Sequence, residues 1–483
     1  MQGHERVVPP LAGVVPPRCP PYVEVTGVDD LLPYLEAVAR RPYSAGLHAA
    51  WDLQPGERIL LRLDSWYDPL CVEATIKTLE KFGCTYEIMN IDRGPQPNYT
   101  GDDEVDFMFK LTKEIAGWME TWKQIEKEGR FDKLLWGFGG PILADRQIKI
   151  QRMPFYSTEM VTSEAHTLPY EILDALDNWT WDRICAARRV RITDPEGTDL
   201  TYTNYDDYYD ETRTQFNEDL LQEWYPENAA FVRKFQPGHV WGKPKFLLGK
   251  DDASGVIAGT MNHIGPFKHV TMRVENSKIT EITGGGRYGD RLRDVLAESA
   301  DTQYPGYPGK GLLYWWEASI GTNPKIHRPR KDYLLGMNCA LYERMRSGIV
   351  HLGFGTIISS EMERQAVAQG LPAGHFHVHL NYATMIGENA DGSETVIIEN
   401  GRLKGLDDPK IRDIAAKYGD PDHLLSEDWI PATPGINMDG DYFADYASDP
   451  LDWTMTELHI CQRWHGLYMK MIAPSDGAPQ HHH

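Results

Sequence analysis

The chain is 483 residues long, with 49 basic against 71 acidic side chains and a formal net charge of −22. That length suffices for two or three domains around a large core, and the acidic balance argues against a nucleic-acid or anionic-membrane partner. Six cysteines, Cys19, Cys71, Cys84, Cys185, Cys339 and Cys461, are scattered without a CxxC pair. This suits free thiols in a reducing cytosol better than a disulfide framework. No secretory pattern opens the chain and no apolar run reaches the length of a membrane span, so a cytoplasmic enzyme is expected. His481 to His483 look like a remnant expression tag and are set aside.

Residues 1–28 are rich in proline and read as an extended arm. Residues 29–185 read as an α/β domain. Its helix DLLPYLEAVARR is followed by a buried strand from Gly56 to Asp64, an amphipathic helix from Val72 to Gly83 and a second strand, CTYEIMNID. Strand, helix and strand in that order predict a parallel sheet. No GxGxxG follows the first strand, which leaves a dinucleotide site without support. A long helix over Val105–Glu128 and a strand over Leu134–Pro141 complete this half.

Residues 186–400 read as a β-rich (α+β) domain. RRVRITDPEGTDLTYTNY alternates around the turn Asp194-Pro195-Glu196-Gly197. The runs KFLLGK, SGVIAGTMNHIG and HVTMRVENSKITEITGGG add strands, the last bent at Glu275-Asn276-Ser277. A helix is predicted over Arg291–Ser299. Across the boundary at residue 400 lies another hairpin, ETVIIENGRLKG. Residues 401–480 hold a helix over Ile411–Tyr418 and an acidic tail carrying Trp429, Tyr442, Phe443, Trp453, Trp464 and Tyr468. So many large side chains do not stay in water, so this extension should pack on the catalytic domain or on a second subunit.

The chemistry concentrates between Leu313 and Tyr382. Three apolar, strand-like runs each deliver one ligand-type residue: Glu317, His351 and His379. Two imidazoles and a carboxylate on separate strands form a set that holds a divalent metal with open positions. His375, His377 and His379 alternate, so in a strand they share a face with Asn381. His377 is a candidate acid or base, since imidazole titrates near neutrality, and Tyr382 could donate a proton. Trp315 and Trp316 suit a flat aromatic substrate or a β core. Lys268 and Arg287 could bind a substrate carboxylate or phenolate. No Ser-His-Asp order, P-loop or HExxH is present.

Several of these segments carry a resemblance. RVRITDPEGTDL (189–200), PGHV (237–240), RVENSKITEI (273–282), EASIGTNP (317–324) and GIVHLGFG (348–355) resemble the aminopeptidase T family of metallopeptidases. GPFK (265–268), the glycine pair with LRD (285–294) and the VHLN segment are more similar to 2,5-dihydroxypyridine 5,6-dioxygenase, an iron enzyme on the same scaffold. The resemblance covers roughly residues 30–400. It implies a two-domain metalloenzyme and a homodimer, with Glu317, His351 and His379 at metal positions. It also places His239 where the peptidases carry a metal-binding glutamate, and Asn381 where a closing aspartate stands. Loss of those two carboxylates favours one ion over a bridged pair. The expectation is therefore a mononuclear Fe(II) ring-cleaving dioxygenase acting on a hydroxylated aromatic or N-heteroaromatic compound, with Zn(II) or Mn(II) as alternative metals. His239 or His377 would manage protons. The alternative is an aminopeptidase-like or amide-cleaving hydrolase in which the metal activates water.

Overall fold

The computed structural model describes residues 10–42, 48–94, 100–137, 148–153, 155–226, 234–329 and 342–472. After helix α1 (Leu32–Arg40) comes strand β1 (Arg58–Asp64), buried from Ile59 onward. A near-continuous buried run of this kind marks a strand covered on both faces. It pairs in parallel with β2 (Thr85–Ile91) and with β3 (Lys133–Trp136), which in turn pairs with β4 (Lys149–Arg152). The sheet order is β2-β1-β3-β4, the parallel arrangement expected from the sequence.

Local chemistry sets the crossover helices. Helix α2 (Pro69–Lys81) starts where Asp68 accepts the Leu70 N–H and Pro69 fills the first turn, and it ends at Gly83 with φ +72°. Helix α3 (Glu104–Glu128) ends at Gly129 with φ +62°. Its Trp122 and Ile125 close over Leu60, Leu134 and Trp136 of the sheet. Of the strand expected over Leu134–Pro141, the described part runs only to Trp136, and residues 138–147 lie outside the described set.

Helix α4 (Tyr170–Ala186) leads into an antiparallel sheet of eight strands in the order β10-β9-β8-β6-β5-β14-β15-β16. These are β5 (Ala187–Thr193), β6 (Asp199–Thr203), β8 (Ser254–Met261), β9 (Pro266–Glu275), β10 (Lys278–Gly284), β14 (Thr384–Asn389), β15 (Glu394–Glu399) and β16 (Arg402–Leu403). A four-stranded antiparallel sheet, β13-β12-β11-β7, completes this half. It comprises β7 (His239–Trp241), β11 (Trp315–Gly321), β12 (Val350–Gly355) and β13 (His375–Leu380). The two sheets meet closely at β8 and β13, where a Cβ on Gly259 would lie 2.6 Å from Val378 Cγ1.

Three expectations need correction. KFLLGK is not a strand. Pro244 precedes it, and Lys243 and Lys245 are buried against Asp251 and Glu317 rather than alternating across a pleat. The helix expected from Arg291 begins earlier, as α5 (Gly286–Glu298), because Gly284, Gly285 and Gly286 all adopt positive φ and reverse the chain before it. The cysteines are not all free: Cys19 and Cys461 form a disulfide across 442 residues, with Cα atoms 5.5 Å apart. Cys71, Cys84 and Cys185 are free and buried, while Cys339 lies outside the described residues. The bond removes the cysteine argument for a reducing compartment. Among the described residues no helix is long and apolar enough to cross a membrane.

The disulfide ties the N-terminal arm to α6 (Pro450–Ile472), a helix that the composition of the tail did not announce. Further along the arm, backbone bonds join Leu11 to Ile436 and Arg18 to Ile430. Some of the C-terminal segment's aromatics pack on its own chain: Trp429 is buried under Arg328 and Arg346, and the Tyr442 and Tyr446 hydroxyls reach Glu196 and Thr260, whereas Phe443 stays exposed and the side chains of Trp464 and Tyr468 lie outside the described set.

Candidate metal centre

The register of the four-stranded sheet builds the site. Ser319 pairs with His351 and His351 with His379; in the next row Glu317 pairs with Gly353 and Gly353 with His377. Because strand side chains alternate, His375, His377 and His379 share one face with His351 and Glu317. Gly353 has no side chain, and the space it leaves is where Glu317 and His375 meet. A Cβ there would lie 2.5 Å from His375 Cε1 and 2.7 Å from Glu317 Oε2.

Glu317 is held from one side only. Its Oε1 pairs with Lys245 Nζ at 2.8 Å and accepts from Ser319 Oγ at 2.7 Å. Its Oε2 faces His375 Nε2 at 3.1 Å and His351 Nε2 at 3.7 Å. For ligands about 2.1 Å from a common ion, tetrahedral neighbours lie about 3.4 Å apart, so both separations bracket a shared metal. His377 presents the tautomer a ligand needs. Its Nδ1 lies 2.8 Å from Glu104 Oε1, and its Nε2 is buried without a hydrogen-bond partner. A carboxylate behind the far nitrogen is the usual support of a metal-binding imidazole. His351 Nε2 is likewise buried and unpartnered, and its Nδ1 lies 3.0 Å from His239 Nε2.

Glu317, His351, His375 and His377 can each offer one ligand atom, all within 4.8 Å of one another. Two further groupings adjoin this one: His263 with His351 and His379, and Glu104 with His263 and His377. Electrostatics match the geometry. Burial, the leading cause at each imidazole, pushes His351, His375, His377 and His379 below the ordinary histidine range, so they stand neutral and ready to ligate. Burial would raise Glu317, but Lys245 and His375 beside it outweigh that and hold its carboxyl well below the usual range. The residues present fit a divalent cation: one ionised carboxylate, neutral imidazoles and buried lone pairs without partners.

No protein-family model matches the chain, and a comparison with curated proteins finds no match. Among the solved structures similar to it are the following two. One is a 2,5-dihydroxypyridine dioxygenase from Pseudomonas putida KT2440, with 14% identity and a TM-score of 0.45, covering 78% of this chain and 98% of that one. The other is wild-type AmpT from Thermus thermophilus, with 14% identity and a TM-score of 0.43, covering 78% of this chain and 100% of that one.

Of the residues singled out in the sequence, Glu317 and His351 come together as expected, but His379 joins a different grouping. It opposes His351, one row along the strand from Glu317, and its Nε2 lies 2.8 Å from His263 Nδ1. The Glu317 side chain leans toward the His375 end of the row, with Oε2 3.1 Å from His375 Nε2, so His375 and His377, not His379, reach it. His239 lies behind His351. Tyr382 does not face the cluster. Its hydroxyl donates to Pro431 O at 2.6 Å and lies 2.8 Å from Thr433 Oγ1, anchoring the C-terminal segment. Asn381 is buried, and its carbonyl accepts from Arg346. Trp316 stacks on His375, whereas Trp315 packs on Tyr202. Lys268 is exposed, and Arg287 pairs with Asp103.

Four residues of the site carry no signal strong enough to mark them in the sequence: Glu104, Lys245, His263 and Arg344. His263 follows an apolar strand, the same signal that exposed His351. Glu104 looks like an ordinary first-turn acid of α3, although it accepts from the backbone N–H groups of His263 and His377. Arg344 is buried among imidazoles. Its Nη1 lies 2.7 Å from His263 Nε2 and 3.1 Å from His351 Nδ1, and its Nε has no partner.

Proposed function

We propose that the chain is a metal-dependent enzyme that holds one divalent ion on Glu317, His351, His375 and His377 and acts on a small anionic substrate. The observation that carries this reading is the meeting of a single ionised carboxylate with three neutral, buried imidazoles around the gap left by Gly353. A second ion at His263, His351 and His379 would have no carboxylate to offset its charge, and one at Glu104, His263 and His377 would compete with the first for His377, which favours a mononuclear centre over a bridged pair. Four protein ligands fill a tetrahedral zinc site but leave two positions on an octahedral ion such as Fe(II) or Mn(II). Iron in such a setting would supply redox chemistry with dioxygen, and its two open positions suit a substrate bound through one oxygen rather than a chelate. The preferred reaction is therefore ring-cleaving dioxygenation of a hydroxylated aromatic or N-heteroaromatic compound.

The surrounding residues take supporting parts. With Glu104 Oε1 accepting a hydrogen bond from His377 Nδ1–H, the lone pair of Nε2 is turned outward. Lys245 and Ser319 restrain Glu317 Oε1 and leave Oε2 free. His239 is a positioning residue: with its Nε2 accepting from His351 Nδ1–H, the lone pair of His351 Nε2 is available. Arg344 cannot donate to His351 Nδ1 in that tautomer, so its guanidinium, which has no carboxylate partner within hydrogen-bond distance among the described residues, meets the substrate's negative charge.

The test is elemental analysis of anaerobically purified protein, combined with oxygen uptake on dihydroxypyridines and catechols. Expected are one iron per chain, oxygen consumption, and metal loss in His375→Ala and His377→Ala but not in His379→Ala. Turnover of amides without oxygen, with two ions per chain, would replace this reading by the hydrolase.

A further inference from the structure

A crevice opens at the carboxyl end of the N-terminal sheet. The chain leaves β1 for β2 on one side, and β3 flanks β1 on the other, so the order reverses beside β1. Crevices outside the carboxyl ends of parallel strands at such a reversal are where ligands bind in open α/β sheets. Here a crevice at the carboxyl ends of β1 and β2, beside that reversal rather than across it, has a volume of about 430 Å³. It is walled by Arg62 and Trp66 from β1 and its following turn, by Arg93 just beyond β2, and by one face of α3 that includes Lys110, Glu114 and Trp118.

The floor of this cleft sets two guanidinium groups against one carboxylate. Arg62 is 1% exposed, and its guanidinium lies over Trp136 at 4.2 Å and Trp118 at 5.1 Å. Arg93 lies over Trp66 at 5.3 Å. Both guanidinium groups share a single carboxylate: Asp64 Oδ2 is 3.7 Å from Arg62 Nη1 and 3.4 Å from Arg93 Nε. That carboxylate also accepts from the Tyr156 hydroxyl and the Trp66 N–H. Neither arginine reaches it at hydrogen-bond geometry, and Arg62 Nε, Arg62 Nη1 and Arg93 Nε are buried without hydrogen-bond partners among the described residues. At the rim, Lys110 pairs with Glu114, and Asp92 turns to the Gly94 N–H, so these groups offset one another or are engaged. A buried donor left unsatisfied costs about 1–3 kcal/mol, more when charged, and an anion beside the two guanidinium groups would add to the single carboxylate they share.

We propose that this cleft binds a small aromatic carboxylate, its carboxylate on Arg62 and Arg93 and its ring against Trp66 and Trp118. The tryptophans supply flat apolar walls, the arginines a charge-assisted anchor, and the volume suits a ligand of one or two rings.

The test uses isothermal titration of the full chain with benzoate, cyclohexanecarboxylate and inorganic phosphate, alongside Arg93→Gln and Arg62→Lys. Arg93 is one-fifth exposed, so Arg93→Gln should fold, with circular dichroism and melting as the check. Expected are benzoate binding with one site per chain, weaker binding of cyclohexanecarboxylate, and at least about a tenfold loss of benzoate affinity in Arg93→Gln. Fluorine NMR of 4-fluorobenzoate, broadened by the wild type and sharp with Arg93→Gln, would place the ligand in this cleft even if Arg62→Lys failed to fold. Benzoate affinity unchanged in Arg93→Gln would overturn the proposal, as would phosphate binding more tightly than benzoate.

Discussion

Gly353 stands between Glu317 and His377 in the row of paired residues, and Gly353→Ala tests the metal centre without removing a ligand. The added Cβ would lie 2.5 Å from His375 Cε1 and 2.7 Å from Glu317 Oε2. Ordinary contact begins near 3.5 Å, so the imidazole and the carboxylate must retreat by about 1 Å. That is half of a metal–ligand bond of about 2.1 Å. Both side chains are buried in a packed sheet, so the displacement cannot relax into solvent. Metal affinity should fall by about 100-fold or more, the upper end of the loss seen when a ligand's support is disturbed, and stability by about 1–3 kcal/mol from overpacking. Gly353 does not adopt positive φ, so backbone strain adds nothing. Gly259→Ala is the control. Its Cβ would meet Val378 Cγ1 at 2.6 Å, and Val378 alternates with His377 and His379 to the opposite face. It should cost similar stability and leave metal affinity intact. Chelator competition and thermal melting on both variants provide the measurement. Wild-type metal affinity in Gly353→Ala, or equal metal loss in Gly259→Ala, would refute the placement of the ion.

Three further outcomes are expected. Burial, joined at Asp194 by the neighbouring Glu196 charge, raises Asp194 to about 8 and Glu196 to about 7. The native state therefore keeps protons that the unfolded chain loses near pH 4, so this pair's contribution to stability should fall as pH rises from about 4 to 8; Glu196→Gln should lose part of that contribution when urea unfolding is compared with the wild type at each pH, and a wild-type-minus-variant difference that does not change with pH would exonerate the pair. Tyr382→Phe should cost about 1–3 kcal/mol by stranding the Pro431 carbonyl with turnover unchanged; lost turnover at full stability would return Tyr382 to the chemistry. Reducing the Cys19–Cys461 bond should lower stability by about 2–4 kcal/mol, whereas superimposable unfolding curves with and without reductant would show that the arm and α6 contribute nothing to the cooperative unit.

The sequence by itself determined the local elements. Period, caps and glycines placed β1, α2, β2 and α3, and Asn276 and Ser277, both at positive φ, made the β9–β10 turn. These features act over a few residues, so they are legible in a linear string. The alternation of His375, His377 and His379 likewise puts three imidazoles on one face by spacing alone. Which of them meets Glu317 was a different matter. That depends on a register across β11, β12 and β13 and on the missing side chain of Gly353, and neither leaves a trace in local spacing. Glu104 reaches His377 from a helix 273 residues away in the chain, Lys245 reaches Glu317 from an irregular segment, and Cys19 finds Cys461 across 442 residues. Partners so remote are chosen by the packing of whole layers, because burial leaves each charged or polar group only the neighbours that the assembled sheets and helices bring to it.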